Sequence, residues 1–348
     1  MFDLNKILRE NIKNLVPYSS ARDEFKGEAS IFLDANENAY GSPLEKNYNR
    51  YPDPFQLKLK EKISKIKGVP VKNIFLGNGS DEVIDILYRA FCNPGKDNAI
   101  LSPPTYGMFE VSANINNVEI KKVSLTEEFQ LNAEGISEVV DDNTKLIFLC
   151  SPNNPTGNSL DRADIEFILN NFEGIVIVDE AYINFSKHKS FTLELNEYPN
   201  LVVMQTLSKA WGMAGLRIGM AFASEEIISV FNKIKPPYNI NEASQQLAIK
   251  ALDNIEQVNI WIKEIVNERE KLMKSLVDFS FLQKIYPSDA NFLLVKTTEP
   301  KKIYRYLVEK GIIVRDRSNI ALCEDCLRIT VGTKEENKKL IEALNQYK

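Results

Sequence analysis

One histidine, His188, serves the whole 348-residue chain. It lies in the polar run Ser186-Lys187-His188-Lys189-Ser190 and reads as an ordinary loop residue. A multi-histidine metal site is therefore impossible, and a Ser-His-Asp or Cys-His hydrolase would have to use this residue. Cysteine is nearly as sparse. Cys92 and Cys150 stand in apolar surroundings and are expected to be buried thiols. Cys323-Glu324-Asp325-Cys326 has the spacing of a metal or redox pair, but no second pair completes a zinc site, and the two acids would raise the thiol pKa values. It is expected to be a surface turn before a strand. Reduced thiols suit a cytoplasmic compartment.

Other absences narrow the field. No apolar run approaches the ~20 residues that span a bilayer. The start, Met1-Phe2-Asp3-Leu4-Asn5-Lys6, lacks the basic-then-apolar order of a secretory signal. With 43 Lys and Arg against 48 Asp and Glu, the net charge of −5 favours neither nucleic acid nor an anionic membrane as partner. No GxxxxGK[ST] occurs, and Gly77-x-Gly79 is followed by Glu82 where a dinucleotide fingerprint needs glycine. Nucleotide-driven phosphoryl transfer and nicotinamide chemistry lose their usual motifs.

What is present is an ordinary soluble composition, 44% apolar and 26% charged, in a chain long enough for about two domains. Short runs at 73–76, 98–101, 118–123, 145–150, 175–178, 201–205 and 217–223 are read as strands, and all but the charged 118–123 are mainly apolar, as strands covered on both faces should be. Helical patterns at 81–92, 106–115, 161–172 and 224–234 alternate with them, which predicts an α/β domain with a mostly parallel central sheet. Residues 241–276 hold no proline or glycine and carry apolar residues at helical spacing, so one long helix, kinked or straight, is expected to join two domains. Beyond it, 291–296, 301–310, 312–315, 327–331 and a helix from Lys334 make an α+β pattern for a smaller domain.

Open α/β sheets bind ligands beyond the carboxyl ends of their strands. Those ends carry Ser151-Pro152-Asn153-Asn154-Pro155-Thr156-Gly157, Asp179-Glu180-Ala181-Tyr182, and Thr206-Leu207-Ser208-Lys209. The turn Gly77-Asn78-Gly79-Ser80-Asp81 feeds a helix whose free N–H groups suit a phosphate, or it is a plain helix cap. Asp179 and Lys209 on neighbouring strand ends are either a structural ion pair or the two poles of an aromatic cofactor. Pyridoxal phosphate needs such poles: an amine to form an imine with its aldehyde, and a carboxylate to keep its ring nitrogen protonated. Ser208 and Arg217 stand where they could hold its phosphate.

The series Asn154-Pro155-Thr156-Gly157, Asp179-x-x-Tyr182 and Ser208-Lys209-x7-Arg217 resembles the fold-type-I pyridoxal-phosphate aminotransferases. With Arg50-Tyr51-Pro52-Asp53, Pro103-Pro104-Thr105-Tyr106-Gly107-Met108, Ala214-Gly215-Leu216-Arg217 and Leu327-Arg328-Ile329-Thr330-Val331-Gly332, it is most similar to their histidinol-phosphate aminotransferase branch, from about Leu15 to the C-terminus. Three positions depart from that pattern: Gln205 and Asn78 replace frequent arginines, and Asn38-Ala39-Tyr40 lacks a common proline.

The resemblance implies a large cofactor-binding domain at 30–265 and a small domain made of 1–29 and 266–348. It implies that Lys209 bonds covalently to the cofactor aldehyde and moves the substrate proton, that Asp179 pairs with the ring nitrogen, and that Tyr182 and Asn154 bond the ring's phenolic oxygen. Tyr106 would stack on the ring; Ser80, Asp81, Ser208 and Arg217 would bind the phosphate; Tyr51 would reach the phosphate of the partner subunit in a homodimer. Arg328 would grip a substrate carboxylate, with Tyr18, Asn36 and Arg315 near the substrate's distal end. The implied reaction interconverts histidinol phosphate and 2-oxoglutarate with imidazole-acetol phosphate and glutamate. An aromatic or broad-specificity aminotransferase and a phosphothreonine decarboxylase share the fold and stand as alternatives. A non-enzymatic ligand-binding module would be expected to lack the lysine.

Overall fold

The computed structural model describes residues 2–18 and 31–347. Seven strands form the larger sheet: β1 (Ile74–Asn78), β2 (Asn98–Leu101), β3 (Glu119–Lys122), β4 (Thr144–Cys150), β5 (Ile175–Asp179), β6 (Leu201–Thr206) and β7 (Ile218–Phe222). Their order is β1-β7-β6-β5-β4-β2-β3, all parallel except β7, which runs antiparallel to both neighbours. Successive side chains of a strand face opposite sides, and here both sides are apolar. Leu146, Phe148, Ile175 and Ile177 enter one core, while Ile147, Leu149, Val176 and Val178 enter the other. That two-sided burial is why the inner strands lack polar alternation, while the edge strand β3 carries Glu119, Lys121 and Lys122 and is not buried; the arrangement confirms the expected α/β class.

Helices α1 (Leu4–Ile7), α2 (Glu10–Lys13), α4 (Ser80–Phe91), α5 (Met108–Ile115) and α8 (Glu225–Ile234) cover the first face. Helices α3 (Leu57–Lys67), α6 (Ala133–Val139), α7 (Arg162–Asn171) and α9 (Glu242–Ala251) cover the second. The described part of segment 1–29 thus packs on the large sheet's helices, not on the smaller sheet with which the sequence grouped it. Ile7 and Ile12 are buried there, and the Arg9 guanidinium donates to the Arg89 carbonyl at 2.8 Å.

The expected helix over 241–276 is interrupted. Between α9 and α10 (Ile255–Leu276) lies a 3₁₀ turn, Leu252–Asn254. Leu252 is buried in the core, and the Asn254 side-chain amide donates to the Lys250 carbonyl, a local bond that competes with helix continuation. Helix α10 buries Val258 in the large core and Leu272 and Leu276 in a second core. That core is built on an antiparallel sheet of β8 (Leu282–Ile285), β9 (Phe292–Thr297), β10 (Arg315–Asp316) and β11 (Cys326–Thr330), ordered β10-β11-β9-β8, with α11 (Pro300–Glu309) and α12 (Lys334–Asn345) against it.

The Cys-x-x-Cys segment is a turn, as expected, but the thiols are not at the surface. Cys323 and Cys326 are fully buried and unpaired, and only Glu324 and Asp325 project to solvent. The sulfurs fill apolar space beside Phe129 and Tyr286, a role that four residues of sequence do not announce.

Candidate active site

Strands β4, β5 and β6 are parallel and end at one edge, with Cys150 opposite Asp179 and Asp179 opposite Met204. That edge opens into a cavity of about 480 Å³. Among the residues lining it are Ser80, Asp81, Tyr106, Asn154, Asp179, Tyr182, Ser208, Lys209, Arg217, Arg315 and Arg328. The structure therefore gathers all the expected site residues except three. Asn36 and Tyr51 line a separate depression of about 770 Å³, where Tyr51 stacks on Tyr238 at 4.5 Å. Tyr18 is exposed and lines neither cavity.

The cavity has a buried anionic pole. Asp179 ends an all-apolar strand, and burial pushes its carboxyl up to about 7; only the Ala181 N–H, donating at 3.0 Å, and more distantly Lys209 oppose the rise. A buried carboxyl perturbed this far marks a candidate functional group. Lys209 follows β6 and lies with its amine 5.6 Å from the Tyr182 ring centre. Its pKa is lowered, first by burial and then by Arg328. Tyr182 packs edge-on against Phe292, 5.1 Å away, and burial holds its phenol in the protonated form well past neutrality.

The N-terminus of α4 also borders the cavity. Gly79 caps it without a side-chain hydrogen bond, leaving first-turn N–H groups toward the cavity. The close approach is made possible by glycine on both sides. A Cβ at Gly219 in β7 would sit 2.4 Å from the Ser80 nitrogen, and one at Gly79 would lie 2.5 Å from an Arg217 guanidinium nitrogen. Arg217 itself adopts a left-handed backbone (φ 55°) directly after the turn Ala214–Leu216. A non-glycine residue there costs on the order of 1 kcal/mol or more, which the site tolerates to aim the side chain. Asp81 accepts from Arg217 at 3.1 Å and from the Tyr106 hydroxyl at 3.2 Å, fixing both.

A third group comes from the small sheet. Arg328 on β11 donates to the Asn154 side-chain oxygen and lies over the Phe292 ring. Arg315 on β10 is its cross-strand neighbour. Five cationic side chains, Lys209, Arg217, Arg315, Arg317 and Arg328, face two carboxylates, Asp81 and Asp179, around one cavity. Such an excess suits ligands carrying more than one anionic group. Sequence reasoning missed Arg317, Ile320, Cys150 and Thr206, which also line the cavity. Arg317 follows β10, which ends at Asp316, so its i+2 spacing from Arg315 was no more than a faint signal in a stretch that reads as loop.

A model of aminotransferase class I and II matches residues 32–344. The chain is 56% identical over 348 residues to the histidinol-phosphate aminotransferase of Parabacteroides distasonis, covering 100% of each. It is 56% identical over 346 residues to that of Cytophaga hutchinsonii, with 99% of each covered. Among solved structures, the histidinol-phosphate aminotransferase of Sinorhizobium meliloti in complex with pyridoxal-5′-phosphate aligns with a TM-score of 0.78 at 24% identity, covering 89% of this chain and 88% of that one. The Clostridium acetobutylicum enzyme of the same name aligns at 0.79, also at 24% identity, over 85% and 90% of the two chains. By sequence and by fold, this chain belongs to the aminotransferase class I and II family, in its histidinol-phosphate aminotransferase branch.

Proposed function

We propose that this chain is a pyridoxal-phosphate-dependent histidinol-phosphate aminotransferase, transferring the amino group of histidinol phosphate to 2-oxoglutarate. The observation that carries the reading is the meeting of Lys209 with buried Asp179 in one arginine-rich cavity. The residues fit the cofactor at both ends: a carboxyl whose burial makes it a strong partner for a protonated ring nitrogen, and an uncapped helix terminus with Arg217 for a phosphate. When bound, pyridoxal phosphate supplies an aldehyde that condenses with amines and a protonated ring that takes up the electron pair released at the substrate Cα.

This chain's residues do the rest. Lys209 would tether the cofactor through its aldehyde carbon, and its Nζ, when free, would take the proton from the substrate Cα. Burial and the nearby guanidinium favour its neutral, basic form. Tyr182 and Asn154 would donate toward the ring's phenolic oxygen, and Tyr106 would cover one ring face. At the helix start, Ser80 and Asp81 contribute backbone N–H groups and Ser208 its hydroxyl. The Asp81 carboxylate, which would repel a phosphate, instead orients Arg217 and Tyr106. Arg328 binds the α-carboxylate of glutamate, and Arg315 the distal end.

Homodimer formation completes this reading. The depression holding Asn36 and Tyr51, and the exposed Leu33, Tyr40 and Leu44 near it in sequence, support a shared interface that brings Tyr51, and with it Tyr18 and Asn36, to a partner's site. We take 30–265 as the cofactor-binding unit and 266–348 as the smaller one. Four unpaired thiols accord with a cytoplasmic location. Among the described residues no helix is long and apolar enough to cross a membrane.

The test is a pair of half-reactions on the yellow holoenzyme. Histidinol phosphate should bleach it at a lower concentration than phenylalanine does, and 2-oxoglutarate should restore the colour with release of glutamate. Preferential bleaching by phenylalanine, or carbon dioxide release from threonine phosphate, would overturn the assignment.

A further inference from the structure

Arg317 is absent from the set of residues the sequence pointed to, yet it lines the same cavity as Lys209 and Arg328. Its N–H donates to the Cys326 carbonyl at 2.9 Å, which carries the β10–β11 ladder one residue past Arg315–Asp316. Residues i and i+2 of a strand share a face, so Arg315 and Arg317 point the same way, and Arg328 sits directly across from Arg315. Asp316, between them, is turned to the other face, where its carboxylate accepts from the Ser318 N–H at 2.8 Å. None of the three arginines forms an ion pair with a carboxylate of the described residues. The Nε atoms of Arg317 and Arg328 are buried without a hydrogen-bond partner.

Like charges opposed across a ladder destabilise it. A folded chain keeps three together, with buried donors left open, where an anion completes them. The cofactor phosphate does not call for them, since the start of α4 and Arg217 are assigned to it above. The frame beneath Arg317 is also prearranged. Ile320 donates to the Arg317 carbonyl, Cys323 to Ile320 and Cys326 to Cys323, at 2.9–3.0 Å, and both thiols are buried. Little order is left to acquire on binding.

We propose that Arg317 is a specificity-determining residue that, beside Arg315, binds the phosphate monoester of the amino donor. A carboxylate is satisfied by one guanidinium fork, whereas a phosphate dianion carries a second charge and a third oxygen for another. Arg317 thereby favours a phosphorylated substrate over glutamate. The inference rests on the donor assigned above.

The experiment compares wild-type, Arg317→Gln and Arg317→Lys holoenzymes in single half-reactions. In Arg317→Gln the ratio of kcat/KM for histidinol phosphate to that for glutamate should fall about 10- to 100-fold, the effect of a charge-assisted hydrogen bond. Arg317→Lys, which keeps the charge without the fork, should fall between. Phenyl phosphate, a monoester with no amine, should inhibit the wild type competitively and the Gln variant at least tenfold more weakly. A ratio and an inhibition constant both within about twofold of wild type would overturn the role of Arg317. If the wild type ignores histidinol phosphate while phenyl phosphate inhibition still depends on Arg317, the donor assignment falls and the phosphate site stands.

Discussion

The two sides of the cavity are built on opposite electrostatic plans. The floor, from the ends of β4 to β6, is a buried acid next to a lysine, set on strands covered on both faces. Each member of its outer ring, Asp81, Tyr106 and Arg217, already has a partner within the chain. The wall, from β10 and β11, is three guanidinium groups without acids. A floor whose charges are arranged in advance suits a resident group that stays through every turnover. A wall with open donors suits visitors that come and go, each bringing its own negative charge. On the proposed reading, chemistry belongs to the first and selectivity to the second.

The sharpest break of this contrast is at Lys209. Lys209→Ala should leave a folded protein whose half-reaction rates fall on the order of 10⁴-fold, as expected on losing a positioned base, and whose visible band no longer shows the covalent lysine adduct. Rapid-mixing absorbance checks both.

Next comes Asp179, which tests whether the floor is strained until occupied. Its folded carboxyl titrates near 7, above the ordinary 3.8. The group therefore contributes stability that is fully present below its ordinary value and is lost as pH rises through 7, on the order of 4 kcal/mol in total. Apoprotein thermal unfolding should weaken from pH 4 to 8, and Asp179→Asn should flatten that slope. Cofactor should flatten it in the wild type, by supplying a cationic partner. The same variant should lose about 10²- to 10³-fold in activity, the scale of a lost preorganised charge. An apoprotein with a flat profile would contradict the picture of the floor.

On the wall, Arg328→Gln should raise the glutamate KM about 10- to 100-fold with a smaller change in kcat, the mark of a binding residue. An equal fall in kcat and kcat/KM would place Arg328 with the floor. The smallest effect is expected at Tyr182→Phe. Loss of a donor to the phenolic oxygen should shift the pH midpoint of the holoenzyme's visible band upward by about one unit, read by spectrophotometric titration.

The contrast also explains what was legible in the sequence. Floor residues stand where all-apolar runs stop, so Asp179 and Lys209 announce themselves: a charge immediately after Ile175-Val176-Ile177-Val178 needs a reason. The wall gives no such cue. Strand β10 is two residues long, and the arginine that matters follows its end, in a polar stretch that reads as loop. Helix α3 escaped notice for a related reason. Its sequence LKLKEKISKIK is dense in lysine, yet it buries Leu59 and Ile63, and with them Lys60. Cys323 and Cys326 misled because their neighbours in sequence are acidic while their neighbours in space are not. The N-terminal helices are four residues each, too short to reveal which sheet they serve.

Helix α10 ties these regions together, since one end is rooted beside the floor's sheet and the other beneath the wall's. Its 22 residues make a rod of about 33 Å. Arg269, buried along it, donates to the carbonyls of Phe185, just past Tyr182, and of Ala290, just before β9. A lever of that length converts a tilt of roughly five degrees into a displacement near 3 Å at its tip, about one hydrogen-bond length. A tilt of that one rod would therefore alter how far the guanidinium groups reach across the cavity.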